Sequence, residues 1–181
     1  GTFGDVGVLS FNGNKIITTG GGCAVICNSK NKSILIEHLS KNSKVKHQWK
    51  FYHDKLGYNY KLSNLAASLG YSQILRLNHI LKKRLSLYNR YKMMFSKIEG
   101  TKIFKPIRGS KPNHWLISIK LDNKFIKFQR KILIFLNKNK IFSRPAWELM
   151  SSLPMYKNCP KDNNLNAKKI QKSVICLPSS S

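Results

Sequence analysis

From Leu65 to Ile98, apolar residues recur at helical spacing: Leu65, Ala66, Leu69, Ile74, Leu77, Ile80, Leu81, Leu85, Tyr88, Tyr91, Met94, Phe95 and Ile98. That period predicts one long helix. Ser63 or Asn64 would cap it, and it would run past Gly70 to Glu99 before Gly100 stops it. A helix of this length is expected to act as a spine between two lobes. Strand-like blocks lie on both sides of it, so the chain reads as mixed α/β.

Composition narrows the class. Hydrophobic residues make up 41% of the 181, enough for a core. Patterned apolar blocks argue against a disordered chain. The longest apolar runs fall far short of the roughly 20 residues a spanning helix needs. Four cysteines, at 23, 27, 159 and 176, form no CxxC pair. They read as reduced thiols, so the expected location is cytoplasmic and no membrane partner is expected.

The formal charge of +26 suggests a phosphate binder. The composition offers a plainer account. Lys (27), Asn (17) and Ile (18) are all enriched, and all three have A/T-rich codons. Selection for nucleic acid would raise Lys and Arg, not Asn and Ile. Arginine, the better reader of phosphates and bases, numbers only 6. The clusters Lys44, Lys46, Lys50 and Lys82, Lys83, Arg84 lack interleaved aromatics. A solvated, codon-driven surface is the favoured reading, with a basic nucleic-acid-binding α/β domain as the alternative.

Along the chain, residues 6–11 and 23–27 read as two short strands joined by a glycine-rich loop, a hairpin-like pair. Residues 33–39 read as a short helix, 41–52 as loop and 57–61 as extended. Further on, 115–121 alternates as a strand, with Trp115, Ile117, Ile119 and Leu121 on one face. An amphipathic helix is expected over 125–136, a short helix opening at Arg144, a helix over 167–172 and a strand over 174–177.

The first thirty residues carry the chemistry. Lys15 follows the tight turn at Asn12-Gly13-Asn14 and precedes Gly20, Gly21 and Gly22, which permit close backbone approach. Ser10 lies on an otherwise apolar strand. A lysine amine suits an aldehyde, while a hydroxyl beside backbone N–H groups suits a phosphate. Together they describe a site for pyridoxal 5'-phosphate. Read alone, Lys15 is better taken as one more exposed hairpin lysine among 27; Ser10 and the glycines around it change that weighting.

The segment Gly-Asp-Val-Gly-Val-Leu-Ser-Phe-Asn-Gly-Asn-Lys-Ile-Ile-Thr-Thr-Gly-Gly-Gly over 4–22 resembles the lysine segment of the DegT/DnrJ/EryC1/StrS sugar aminotransferases. Residues 51–70, Phe-Tyr-His-Asp-Lys-Leu-Gly-Tyr-Asn-Tyr-Lys-Leu-Ser-Asn onward, are similar to the family's segment before its long helix. The tail from Ser143-Arg-Pro-Ala-Trp147 through Leu177-Pro-Ser-Ser180 resembles the legionaminic-acid branch. The resemblance runs the length of the chain.

It implies a type I, aspartate-aminotransferase-like fold. Residues 1–70 would be the end of the large PLP-binding domain, and 71–181 the long helix and small C-terminal α/β domain. The implied activity moves an amino group from glutamate to C4 of a 4-keto-6-deoxy UDP-N-acetylhexosamine, for bacterial surface polysaccharide or nonulosonic acid biosynthesis. The implied assembly is a homodimer. Lys15 matches the lysine that condenses with the cofactor aldehyde and later moves protons between C4′ and the substrate carbon. Ser10 matches a phosphate-contacting serine. Asn59 matches a residue reaching the phosphate of the neighbouring subunit's cofactor. His114, Trp115, Arg144 and Tyr156 are candidate substrate contacts.

Two departures stand out: Cys23 replaces a usual Gly, and Lys61 replaces a usual Arg and its bidentate fork. Family members also have, before the position matching Gly1, a segment of comparable size. It carries a ring stacked on the cofactor and an Asp on the pyridine nitrogen. The 181 residues are therefore expected to be a C-terminal part, inactive alone. A non-catalytic remnant of the family is the remaining alternative.

Overall fold

The computed structural model describes residues 1–180. The chain forms two compact units, Gly1–Asn78 and His79–Ser181.

In the first unit, β1 (Val6–Ser10) and β2 (Cys23–Cys27) form the expected antiparallel hairpin, with Val6 opposite Cys27 and Ser10 opposite Cys23. α1 (Lys30–Ser40) starts three residues before the expected helix, because Ser29 caps it by accepting from the Lys32 N–H. Residues 41–52, read as loop, contribute one short strand. β3 (Lys44–Val45) pairs with β4 (Tyr52–His53). The extended segment 57–61 lies along the end of α1. Tyr58 N–H donates to Leu39 O at 2.7 Å and Tyr60 N–H to Ser40 O at 3.0 Å. The apolar side chains of the hairpin stay exposed, Val8 to 64%.

The single long helix is corrected to two. α2 (Asn64–Leu75) is capped by Ser63, whose hydroxyl accepts from Ala66 N–H. It ends at Arg76, and α3 (Leu77–Phe95) begins directly after. Arg76 sits at φ −98°, ψ 1°, so the i→i−4 ladder is interrupted with neither Pro nor Gly at the break. Apolar periodicity carries no trace of such an interruption. α3 ends at Phe95, short of the expected Glu99, because the Lys97 and Ile98 N–H groups donate only three residues back, to Met94 O and Phe95 O. Gly100 follows at φ +76°, and the space a Cβ would take there is filled by the Phe125 ring.

The second unit is built on an antiparallel sheet of order β5-β6-β8-β7. Its strands are β5 (Thr101–Ile103), β6 (Ile117–Leu121), β7 (Arg144–Pro145) and β8 (Val174–Leu177). Ile119, Leu121, Ile175 and Leu177 form its core. Tyr91 and Phe95 pack on that core, as do Ile132, Leu133 and Leu136 of α4 (Gln129–Lys138). Ile117, Ile119 and Leu121 are buried on one face, as the alternation predicts. Trp115, expected on the same strand, lies before it. The amphipathic segment 125–136 begins as a 3-10 turn, Asn123–Phe128, before α4. α5 (Leu165–Ser173) brackets the expected 167–172.

The expected helix at Arg144 is a correction. Arg144 and Pro145 form β7, an edge strand opposite Cys176 and Ile175. A residue before proline is pushed towards extended backbone, and proline lacks a ladder donor, so a sheet edge suits the pair.

Candidate active site

The β1–β2 connection, residues 11–22, is pinned internally. Asn12 N–H donates to Ser10 Oγ at 3.4 Å, and Lys15 N–H donates to Asn12 O at 3.0 Å. Ser10 and Lys15 are thus linked through one turn residue. Lys15 is half-buried and Ser10 exposed. Thr19 N–H and Thr18 Oγ1 both donate to Phe11 O, and Phe11 N–H donates to Gly22 O at 3.0 Å. Gly20 and Gly22 take φ of +81° and +83°.

α2 holds this loop from outside. The Gln73 side-chain amide accepts from Thr18 N–H at 3.0 Å and donates to Thr18 O at 2.8 Å. One side chain thereby satisfies both backbone groups of Thr18. A Cβ at Gly70 would stand 2.7 Å from Thr19 Cγ2, so only glycine allows helix and loop to touch here. Gln73→Leu keeps the shape but strands both backbone groups of Thr18. It is expected to cost about 2 kcal/mol. Thermal unfolding together with amide exchange at Thr18 measures it, and unchanged exchange would show that Gln73 does not hold the loop.

Gln73, Thr18, Thr19 and Gly70 escaped sequence reading. Nothing in the local pattern singled Gln73 out, since α2 also carries Asn64, Ser68 and Ser72.

Asn59 is exposed, bridged to Lys41, between Tyr58 and Tyr60, whose rings stack at 5.1 Å. The three carboxylates of the first unit are all engaged: Asp5 with Lys32, Glu37 with Lys41, Asp54 with His38. The hydrogen bond from Lys41 lowers the pKa of Glu37, and that from His38 lowers the pKa of Asp54. A depressed carboxylate contributes stability above its unfolded value, lost as pH falls through the folded one. The stability gap between native chain and Asp54→Asn should therefore hold at neutral pH. It should close below the ordinary aspartate value of 3.8 in urea melts run across that range. A gap independent of pH would remove the His38–Asp54 pair as its source.

In the second unit, His114 and Trp115 stand together on the wall of a cleft of about 330 Å³, with Tyr88, Lys105 and Asn113 among its lining. His114 takes φ +51°, and its ring stacks on Tyr88 at 4.4 Å. Burial lowers the pKa of His114. The Trp115 ring lies 6.3 Å from that of Trp147. Arg144, exposed on β7, is three residues from Trp147. Tyr156 ends a 3-10 turn, Pro154–Tyr156, at the surface. The structure thus gathers Ser10 with Lys15 and His114 with Trp115, whereas Asn59, Arg144 and Tyr156 each occupy separate segments.

Among the described residues, no group of three or more His, Cys, Asp or Glu is placed to hold a metal ion. No helix is long and apolar enough to cross a membrane.

Against this geometry, residues 1–181 match the DegT/DnrJ/EryC1/StrS aminotransferase family. The chain belongs to that family. It is 36% identical over 162 residues to the GDP-perosamine synthase of Vibrio cholerae, covering 87% of this chain and 42% of that protein. It is 38% identical over 98 residues to the UDP-4-amino-4,6-dideoxy-N-acetyl-beta-L-altrosamine transaminase of Campylobacter jejuni strain 81-176, covering 54% of this chain and 26% of that protein. Among solved structures, Helicobacter pylori PseC, an aminotransferase involved in the biosynthesis of pseudoaminic acid, superposes with a TM-score of 0.92 at 22% identity. It covers 99% of this chain and 49% of PseC. Spr1654 from Streptococcus pneumoniae in its PLP form gives 0.89 at 20% identity, covering 100% of this chain and 48% of that one. The chain therefore has the fold of the sugar aminotransferases and spans about half the length of the relatives it matches.

Proposed function

We propose that this chain is the lysine-bearing half of a PLP-dependent aminotransferase acting on a nucleotide-linked sugar. The observation that carries the reading is the Lys15 loop, tied to Ser10 through Asn12 and clamped to α2 by Gln73. Loops that present a reacting amine need this kind of fixed geometry.

The residues fit two ends of the cofactor. Lys15 suits its aldehyde, and the exposed Ser10 hydroxyl at the strand end suits its phosphate. They offer no free carboxylate to the third, its pyridine nitrogen: Asp5 and Glu37 are paired with Lys32 and Lys41, and Asp54 shares a hydrogen bond with His38. When bound, pyridoxal phosphate supplies the electron sink for moving an amino group. Lys15 would hold the cofactor and then carry the proton at its Nζ to and from the substrate carbon. Asn59 would reach the phosphate bound by a second copy in a homodimer. His114, Trp115, Arg144 and Tyr156 would contact the sugar nucleotide.

The substrate reading is C4 of a 4-keto-6-deoxy UDP-N-acetylhexosamine, with glutamate as donor and the product destined for bacterial surface polysaccharide. The relatives' names support a nucleotide-sugar substrate. We assign residues 1–70 to the large domain and 71–181 to the small one. The 181-residue chain is expected to show no turnover of such a 4-keto sugar with glutamate. Measurable turnover by the chain alone would refute the incomplete-site reading.

A further inference from the structure

We propose that Arg84 and Ser179 form a positioning clamp that shapes the His114–Trp115 wall of the cleft, making the C-terminal tail part of that site. The role in ligand binding rests on the cleft being the sugar-nucleotide pocket. The clamp itself rests on geometry alone.

Arg84 is 9% exposed on α3 and has no carboxylate partner among the described residues. Its Nη1 donates to two carbonyls, Ser179 O at 2.7 Å and Trp115 O at 3.3 Å. Its Nε is buried without a partner. A cation buried this way gains little net stability over an apolar side chain of similar size. What the guanidinium supplies is a fixed link between α3 and two segments 31 and 95 residues away.

Ser179 completes the link. Its Oγ accepts from Ile117 N–H at 2.9 Å and donates to Leu177 O at 2.9 Å. The tail thus fixes Ile117, the first residue of β6 and itself part of the cleft's lining. Arg84, Tyr88 and Tyr91 share one face of α3. Tyr91 OH donates to Pro178 O at 3.0 Å, and Tyr88 OH to Phe104 O at 3.2 Å. One helical face therefore holds the tail, the Trp115 carbonyl and Phe104, a further residue of the cleft's lining.

His114 shows why a clamp is needed. Its φ of +51° is unfavourable for a side chain other than glycine. Such a conformation persists only where its surroundings over-determine it. Tyr88 grips the ring, and Arg84 grips the carbonyl of the next residue. The titratable groups about the ring are Tyr88 and Lys105 in the cleft, with Arg84 behind Trp115; none is acidic.

The test uses the 181-residue chain with Ser179→Ala, Arg84→Met and Arg84→Lys. Proton NMR follows the His114 ring through a pH titration, assigned with His114→Gln. Calorimetry measures the dissociation constant for UDP-N-acetylglucosamine. In the native chain His114 should titrate below an ordinary histidine. In Ser179→Ala and Arg84→Met it should rise towards the ordinary value, with the other four histidines unmoved. Affinity should fall about tenfold, the scale of one lost buried charge-assisted contact. Arg84→Lys should recover part of both changes.

A folded Ser179→Ala chain whose His114 titration is native would overturn the clamp, and it decides the matter should Arg84→Met not fold. A native chain that does not bind the nucleotide sugar would sink the substrate reading of the cleft, and the His114 titration would still decide the clamp.

Discussion

Lys15→Ala is expected to abolish site-directed attachment of pyridoxal phosphate to the chain. After borohydride reduction, the native protein should carry its pyridoxyl group on the Lys15 peptide. Labelling there should exceed that at any of the other 26 lysines by about tenfold or more, since a pre-positioned amine reacts with a high effective concentration. The other lysines are exposed. Lys15 is half-buried on a loop locked by Asn12, Phe11 and Gln73. Ser10→Ala should weaken the preference without removing it, because the amine stays in place while the phosphate loses a donor. Peptide mapping by mass spectrometry reads both. A label spread evenly over surface lysines would mean that the loop does not form a site in this chain.

The second large effect concerns stability. Ile175→Ala should destabilise the second unit by about 2–5 kcal/mol, because the residue is 0% exposed and its neighbours can close the void only partly. Ile175 lies on β8, between β6 and β7, and packs with Ile119, Leu121 and Leu177. Ile170→Ala, at an exposed position on α5, should change stability by less than about 0.5 kcal/mol. Urea denaturation followed by far-UV circular dichroism separates the two. Equal effects would mean that the sheet is not the unit's core. Loss of the β8 core should also disturb the cleft, since Pro178 and Ser179 follow β8 directly and carry the tail contacts of Tyr91 and Arg84.

Local chemistry was legible without coordinates wherever its cause was local. Alternation over Ile117, Ile119 and Leu121 marked a half-buried strand. The hydroxyl of Ser63 marked a helix start, whereas the helix ended at Phe95, before the Gly100 stop that the sequence offered. The blocks around the lysine between two short strands marked the family. These signals arise from side-chain period, capping and backbone freedom, each acting over a few residues.

Tertiary structure alone decided the remainder. The helical period is the same on both sides of Arg76, so the break there leaves no mark on apolar spacing. Arg144-Pro145 became an edge strand because β8 was available to pair with it. Gln73 finds Thr18 across 55 residues, and Arg84 finds Ser179 across 95. A hydrogen bond between distant segments depends on where the fold places two polar groups, and residue order alone does not encode that distance. The sequence determined the family to which this chain belongs and the lysine we propose as its amine. The tertiary structure decided which unremarkable residues pin the segments around it and around the cleft: Gln73 and Gly70 against the Thr18–Thr19 loop, Arg84 and Ser179 behind Trp115 and Ile117.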